Sequence, residues 1–240
     1  MSNSNKQQKV AIVTGASQGI GAGLVKALRE RGYGVIATSR SIQPSADPGV
    51  LTIAGDIGSP DTARRIVEEG VARFGRIDLL VNNAGLFIAK PLTQYTAEDF
   101  AAKIATNVAG FFHITQAAVA AMERGNNGGH VVSISTSLVD HANSNVPSAL
   151  ASLTKGGLNA ATKSLAIEYA ARNIRFNIVS PGIIKTPMHA PETHGVLASL
   201  HPVGRMGEIS DIVDAVLYLD GASFVTGEIL HVDGGQSAGH

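Results

Sequence analysis

Side chains able to do chemistry cluster at a few places in this sequence. Lys155 stands in Ser148-Ala149-Leu150-Ala151-Ser152-Leu153-Thr154-Lys155-Gly156-Gly157-Leu158, and Leu158, Ala161 and Leu165 continue one helix face beyond it. Three hydroxyls in a row, Ser135, Thr136 and Ser137, close the apolar segment HVVSIS, and a hydroxyl both donates and accepts hydrogen bonds. Asn107 lies in TNVAGFF, and His141 in LVDHANSNVP, where an imidazole with an ordinary pKa near 6.5 suits proton transfer. The remaining chemistry belongs to a turn: Thr14-Gly15-Ala16-Ser17-Gln18-Gly19-Ile20-Gly21, followed by Leu24, Val25 and Leu28 on an amphipathic helix.

That turn follows an apolar strand and opens a helix, the order a dinucleotide needs. Gly15 permits the tight bend, Gly19 leaves room for a pyrophosphate to approach the backbone, and Gly21 lets helix and strand pack closely, with the helix N-terminus facing the anion.

The elements that hold these groups alternate along the chain. Short apolar runs occur at residues 10 to 14, 34 to 38, 50 to 54, 78 to 81, 130 to 135, 174 to 180 and 228 to 232. Helical spacing of three and four fills the intervals, as in Ile66, Val67, Gly70, Val71 and Phe74, or Phe100, Ile104, Val108, Phe111 and Thr115. Buried strands alternating with helices predict an α/β fold: a Rossmann-type, doubly wound, parallel seven-stranded sheet covered on both faces. One domain is expected over residues 9–240, after a flexible tail at 1–8. The irregular stretch 185–206, with Pro187, Pro191 and Pro202, reads as a substrate lid.

Composition narrows the function classes. In 240 residues, Lys plus Arg and Asp plus Glu balance at 19 each, so no net field draws a polyanion, and no nucleic-acid partner is expected. There is no cysteine, which removes thiolate nucleophiles and thiolate metal sites and suits a reducing compartment, so the cytoplasm is the expected location. The start MSNSNKQQK is polar and no apolar run reaches the length of a membrane span. His189, His194 and His201 with Glu192 enrich the lid in metal-capable groups, yet spacings of five and seven match no helical ligand pair, and no metal is expected.

TGASQGIG, Asn82-Asn83-Ala84-Gly85, Asn107, and Ser180-Pro181-Gly182 followed by Thr186 together resemble the signatures of the short-chain dehydrogenase/reductase family, and the resemblance runs from the first strand to the C-terminus. It implies a nicotinamide cofactor bound by Gly15, Ser17, Gln18, Gly19, Ile20, Ser39, Arg40, Asp56, Ile57, Asn83, Ala84, Gly85, Lys155, Pro181, Gly182, Ile183 and Thr186. Within that set Asp56 would bond the adenine amino group, Asn83 and Ala84 would line the adenine ribose, Lys155 would hold the nicotinamide ribose, and Ile183 with Thr186 would hold the nicotinamide amide. Members preferring NAD usually carry an acid at the end of the second strand. This chain has Ser39 and then Arg40, and a guanidinium suits a 2′-phosphate. Gln18 departs from the basic residue that many NADP-preferring members carry in the glycine turn. NADP(H) is therefore the expected cofactor, with NAD(H) the second choice.

The resemblance also implies catalysis by a Ser hydroxyl on the substrate oxygen, a Tyr that passes the proton, a Lys four residues later that lowers the Tyr pKa, and an Asn that orders a water relay. Asn107 and Lys155 match. Thr136 occupies the Ser place, with Ser137 a competing assignment because the stretch from Thr136 to position 151 is a couple of residues longer than the family pattern implies. Ala151 occupies the Tyr place and cannot carry a proton. Three substitutes are open: Lys155 through a water beside Ala151, His141, and Lys90. General acid catalysis is worth about a hundred to ten thousand fold, so positioning alone leaves a slow enzyme rather than none. The expected function is an NADP(H)-dependent oxidoreductase acting on a small carbonyl or alcohol. A nucleotide-binding protein with little turnover, or a non-redox lyase or isomerase, are the alternatives. A homotetramer is expected, assembled through the helices around 98–123 and 150–171 and the final strand, with small residues such as Ala160 and Ala161 allowing close packing.

Overall fold

Alternate residues of each strand feed two separate apolar layers, which is why the strands are buried on both sides. Ala11, Val13, Val35, Ala37, Leu79, Val81, Val132 and Val179 belong to one layer. Val10, Ile12, Ile36, Leu80, Val131 and Phe176 belong to the other. With a side-chain period of two, such a sheet needs helices on each face.

The computed structural model describes residues 8–239. The tail expected at 1–8 lies, except for Gln8, outside the described residues. The strands are β1 (Val10–Thr14), β2 (Gly34–Ser39), β3 (Val50–Ala54), β4 (Leu79–Asn82), β5 (Gly129–Ile134), β6 (Ile174–Pro181) and β7 (Ile229–Val232). They form one seven-stranded sheet in the order β3-β2-β1-β4-β5-β6-β7, and every neighbouring pair is parallel. The expected fold is the observed one. The chain leaves β1 toward one edge and returns to the other side of it at β4, so the carboxyl ends of β1 and β4 diverge around a crevice, the place where such sheets bind ligands.

The helices are α1 (Gly19–Glu30), α2 (Pro60–Phe74), α3 (Ala97–Lys103), α4 (Gly110–Gly125), α5 (Ala149–Glu168), α6 (His194–Ala198) and α7 (Ile209–Gly221). Helix α2 shows why its bounds fall where they do. Ser59 Oγ accepts from Thr62 N, Pro60 sits in the first turn, and Gly75 ends the helix in the left-handed region at φ 83°. Helices α1 and α7 approach so closely that a Cβ on Gly23 would meet Ile209 Cγ2 at 2.4 Å.

Two expectations need correction. The helix expected around 98–123 is interrupted by a six-residue π-helical segment, Ile104–Ala109. The wide turn rotates the helix faces, so the supposed single stripe runs from exposed Phe100 to buried Phe111 and Thr115. Residues spaced by three and four along a chain cannot reveal an extra residue in one turn. The stretch 185–206 is also not wholly irregular, because it contains a 3-10 turn at Pro191–Thr193 and helix α6.

The helical run Ala97–Gly125 is long and apolar enough to cross a membrane by length and composition. Its residues Ile114, Ala118, Val119 and Met122 are, however, part of the core layer beneath the sheet.

Candidate active site

The carboxyl ends of the strands open into a cleft of about 910 Å³. Its walls bring together the glycine turn, the ends of β2 and β3, Asn83-Ala84-Gly85, the hydroxyls after β5, Lys155, and the chain from Pro181 to His189. Every residue expected to bind the cofactor lines it: Gly15, Ser17, Gln18, Gly19, Ile20, Ser39, Arg40, Asp56, Ile57, Asn83, Ala84, Gly85, Lys155, Pro181, Gly182, Ile183 and Thr186.

The turn is built as its glycines require. Gly15 and Gly19 adopt φ of 65° and 57°, a left-handed conformation that side chains resist. A Cβ on Gly15 would lie 2.9 Å from Ala84 Cα, and one on Gly21 would lie 2.2 Å from Gly15 O. Asn83 holds this turn, since its Nδ2 donates to Thr14 O at 2.9 Å and to Gly15 O at 3.2 Å. Thr14 Oγ1 in return accepts from the backbone N–H of Asn83 and of Ala84, each at 3.0 Å. The Asn83 amide is thus engaged in shaping the turn, and its contact with the cleft is secondary.

At the end of β2 the hydroxyls of Thr38 and Ser39 are buried with no protein partner among the described residues. Exposed Arg40 follows at the cleft wall. Gln18 is the N-cap of α1 and makes no side-chain capping bond. Asp56 Oδ1 accepts from Gly58 N at 2.9 Å. Unsatisfied hydroxyls, a guanidinium and a glycine turn at a helix N-terminus match the donor set that a dinucleotide phosphate and ribose take up.

At the opposite end of the cleft, Ile183 has both backbone groups in use. Its N–H donates to His201 Nε2 at 2.9 Å, and its C=O accepts from Gly207 N at 2.9 Å. The expectation that Ile183 grips a nicotinamide amide directly is therefore not what this conformation offers. His201 takes the Ile183 N–H, a contact that no sequence spacing predicts. Thr186 faces the glycine turn, 3.4 Å from where a Gly19 Cβ would stand.

Lys155 and Ala151 lie one turn apart on α5 and both line the cleft. Lys155 Nζ donates to Ile134 O at 2.6 Å and sits 3.1 Å from where a Cβ of Gly85 would be. Burial, with the charge of Lys103 adding to it, pushes Lys155 down to about 8. Asn107, in the π-helical segment, locks three elements together. Its Oδ1 accepts from Leu86 N at 2.9 Å, and its Nδ2 donates to Leu86 O and to Thr154 Oγ1 at 3.2 Å each. Its side chain is consumed in structure.

The two hydroxyl candidates separate cleanly. Ser137 is buried with Oγ donating to Gln236 Oε1 at 2.8 Å. Thr136 is half-buried at the cleft wall, its Oγ1 accepting only a long bond from Leu138 N at 3.4 Å. Of the side chains expected as alternative proton donors, Lys90 is tied to Asp99 at 2.6 Å. His141 donates its backbone N–H to Ser137 O at 2.9 Å, and the cleft is lined by its neighbours Leu138, Asn143, Asn145 and Val146 rather than by His141 itself. Burial pushes His189 below the usual imidazole range, and His194 adds to this. Among the described residues no three metal-capable side chains converge. Sequence reasoning missed Gln236 and Lys103 and named His201 only for metal-capable chemistry, because the bonds of Gln236 to Ser137 and of His201 to Ile183, and the burial of Lys103, are set by tertiary contacts.

Comparison with known proteins agrees with this geometry. The Enoyl-(Acyl carrier protein) reductase family matches residues 15–237. An uncharacterized oxidoreductase of Methylorubrum extorquens is 38% identical over 251 residues, covering 97% of this chain and 99% of its own. Two solved structures superpose closely. ElxO with NADP bound has a TM-score of 0.89 and 28% identity, covering 97% of this chain and 100% of its own. The 3-ketoacyl-(acyl-carrier-protein) reductase of Brucella melitensis, complexed with NADH, has a TM-score of 0.87 and 28% identity, covering 95% and 98%.

Proposed function

This chain belongs to the short-chain dehydrogenase/reductase family, and we propose that it is an oxidoreductase that interconverts a small carbonyl and its alcohol with NADP(H), using Lys155 instead of a Tyr to move the proton. The observation that carries this reading is that one cleft brings the glycine turn, Thr136, Ala151 and Lys155 together.

The bound nicotinamide supplies or accepts the hydride at the carbonyl carbon. The chain's own residues do the rest. Thr136 Oγ1, free of strong internal bonds, hydrogen-bonds the substrate oxygen and orients it. Lys155 keeps one N–H on Ile134 O, which leaves the others for the nicotinamide ribose and for a water beside the methyl of Ala151. Through that water a proton leaves Nζ for the substrate oxygen during reduction and returns during oxidation. An acid whose pKa lies near the working pH serves best, and Lys155 is closer to it than an ordinary lysine. Asn107 fixes the Leu86 backbone and α5 around the cleft. Arg40 with the Thr38 and Ser39 hydroxyls favours a 2′-phosphate, in keeping with ElxO, which is described with NADP bound. We further propose a homotetramer through α4, α5 and β7, since Phe112 and Ile167 stand exposed on those helices; light scattering at micromolar concentration checks it.

The test is oxidation of NADPH and NADH, followed by nicotinamide absorbance, over a panel of ketones, aldehydes and quinones, with Lys155→Met alongside. Turnover by the wild type and a loss of roughly a hundredfold or more in the variant is the expected result. A wild type that binds NADPH tightly yet transfers no hydride makes this a nucleotide-binding protein, and turnover without absorbance change makes it a non-redox enzyme.

A further inference from the structure

Lys103 is 0% exposed, and its Nζ has no hydrogen-bond partner among the described residues. The ammonium lies over the Phe87 ring, 5.4 Å from its centroid. A cation over an aromatic face gains less than it costs to take an ion out of water. An apolar side chain of similar length would suit this place better for stability alone.

Its position relates it to the cleft. Lys103 is the last residue of α3, immediately before the π-helical segment and four residues before Asn107, whose amide bonds Thr154, the neighbour of Lys155. Phe87, over whose ring Lys103 lies, lines the cleft two residues after Gly85, the residue against which Lys155 Nζ sits. The two lysines therefore approach the loop Gly85-Leu86-Phe87 from different helices, Lys155 at Gly85 and Lys103 at Phe87.

We propose that Lys103 is a positioning residue for proton transfer: its positive charge, buried and unpartnered at Phe87, acts on Lys155 across the loop Gly85-Leu86-Phe87, so that Lys155 can serve as the acid that Ala151 cannot be. The inference rests on the reading above that Lys155 supplies the proton. In the reduction step an N–H bond of Lys155 breaks, an O–H bond forms on the substrate alkoxide through the intervening water, and neutral Lys155 regains its proton from solvent.

The surrounding groups fit that role. After burial, Lys103 is the charge that holds Lys155 down. Burial lowers Lys103 as well, and Asp99, one turn earlier on α3, opposes this. Asp99 is itself paired with Lys90 at 2.6 Å. The groups facing Lys155 from β5 and from the π-helical segment are the Ile134 carbonyl and the Asn107 amide, both uncharged.

The experiment follows Lys155 Nζ by NMR of the full chain with ¹⁵N-labelled lysine, across pH, in wild type, Lys103→Met and Lys103→Arg, with the pH profile of kcat measured on the same proteins with NADPH. Lys103→Met is expected to raise the Lys155 midpoint by roughly one pH unit, to move the alkaline limb of kcat upward by the same amount, and to lower kcat at the optimum several-fold (~1 kcal/mol). Lys103→Arg keeps the charge and stays near wild type. Should the Met variant not fold, Lys103→Gln gives the same comparison. An unmoved Lys155 midpoint in the Met or Gln variant, or an equal change in the Arg variant, overturns the proposal. A protein that transfers no hydride but whose Lys155 still responds to Lys103→Met overturns the reductase reading and upholds the coupling between the lysines.

Discussion

His201 Nε2 accepts the backbone N–H of Ile183 at 2.9 Å while its Nδ1 faces Leu197 O at 3.0 Å. An acceptor at Nε2 leaves Nδ1 as the donor to Leu197 O, so one imidazole ties α6 to the chain just after β6. His201→Ala leaves the Ile183 N–H without its partner, at a cost of about 1–3 kcal/mol. We expect a lower unfolding midpoint, faster proteolysis within 185–206, and a changed KM for the cofactor with a smaller change in kcat. Undiminished protease resistance of the lid would refute the tie.

Ala151→Tyr puts a phenol one turn before Lys155, facing the same cleft. If the cofactor and substrate are already well placed, the new acid should raise kcat by about a hundredfold or more, read from nicotinamide absorbance. No gain, in a folded variant that binds NADPH as before, would mean that proton transfer is not what limits the wild type.

Ser39→Asp tests the 2′-phosphate reading. A carboxylate beside Arg40 both pairs with the guanidinium and repels a phosphate, so the NADPH-to-NADH affinity ratio should fall by roughly tenfold, ~1.4 kcal/mol. Fluorescence titration of each cofactor measures it, and an unchanged ratio would return the choice of cofactor to NAD(H).

Burial and the nearby Lys103 hold Lys155 down to about 8, against 10.5 for the free side chain. Between those values the unfolded chain binds the extra proton, so stability rises with pH there. Relative to Lys155→Met, the wild-type chain should gain up to about 3 kcal/mol as pH climbs from 7 through 8 to 10. Parallel denaturant titrations of both proteins at each pH decide it; a constant difference would mean that Lys155 titrates normally.

The residues themselves settled a good deal of this. Apolar β-branched runs demanded a two-faced sheet because each buried strand supplies side chains to both sides, and the seven strands appeared within a residue of their expected bounds. The glycine turn was readable because Gly15, Gly19 and Gly21 occupy positions where a Cβ has no room, and such a constraint writes itself into residue type. The absence of a titratable group at 151 was equally plain.

What the linear order could not hold was anything set by contacts between distant elements. Both Thr136 and Ser137 line the cleft, and which of the two hydroxyls is already engaged depends on Gln236, 99 residues away from Ser137. Asn107, in its π-helical turn, bonds Leu86 and Thr154, which lie 21 and 47 residues away. Nothing in the spacing of residues marks Lys103, and packing alone buries its ammonium over the Phe87 ring. Periodicity tells which side of an element is apolar; only the assembled fold decides which polar groups are left facing one another.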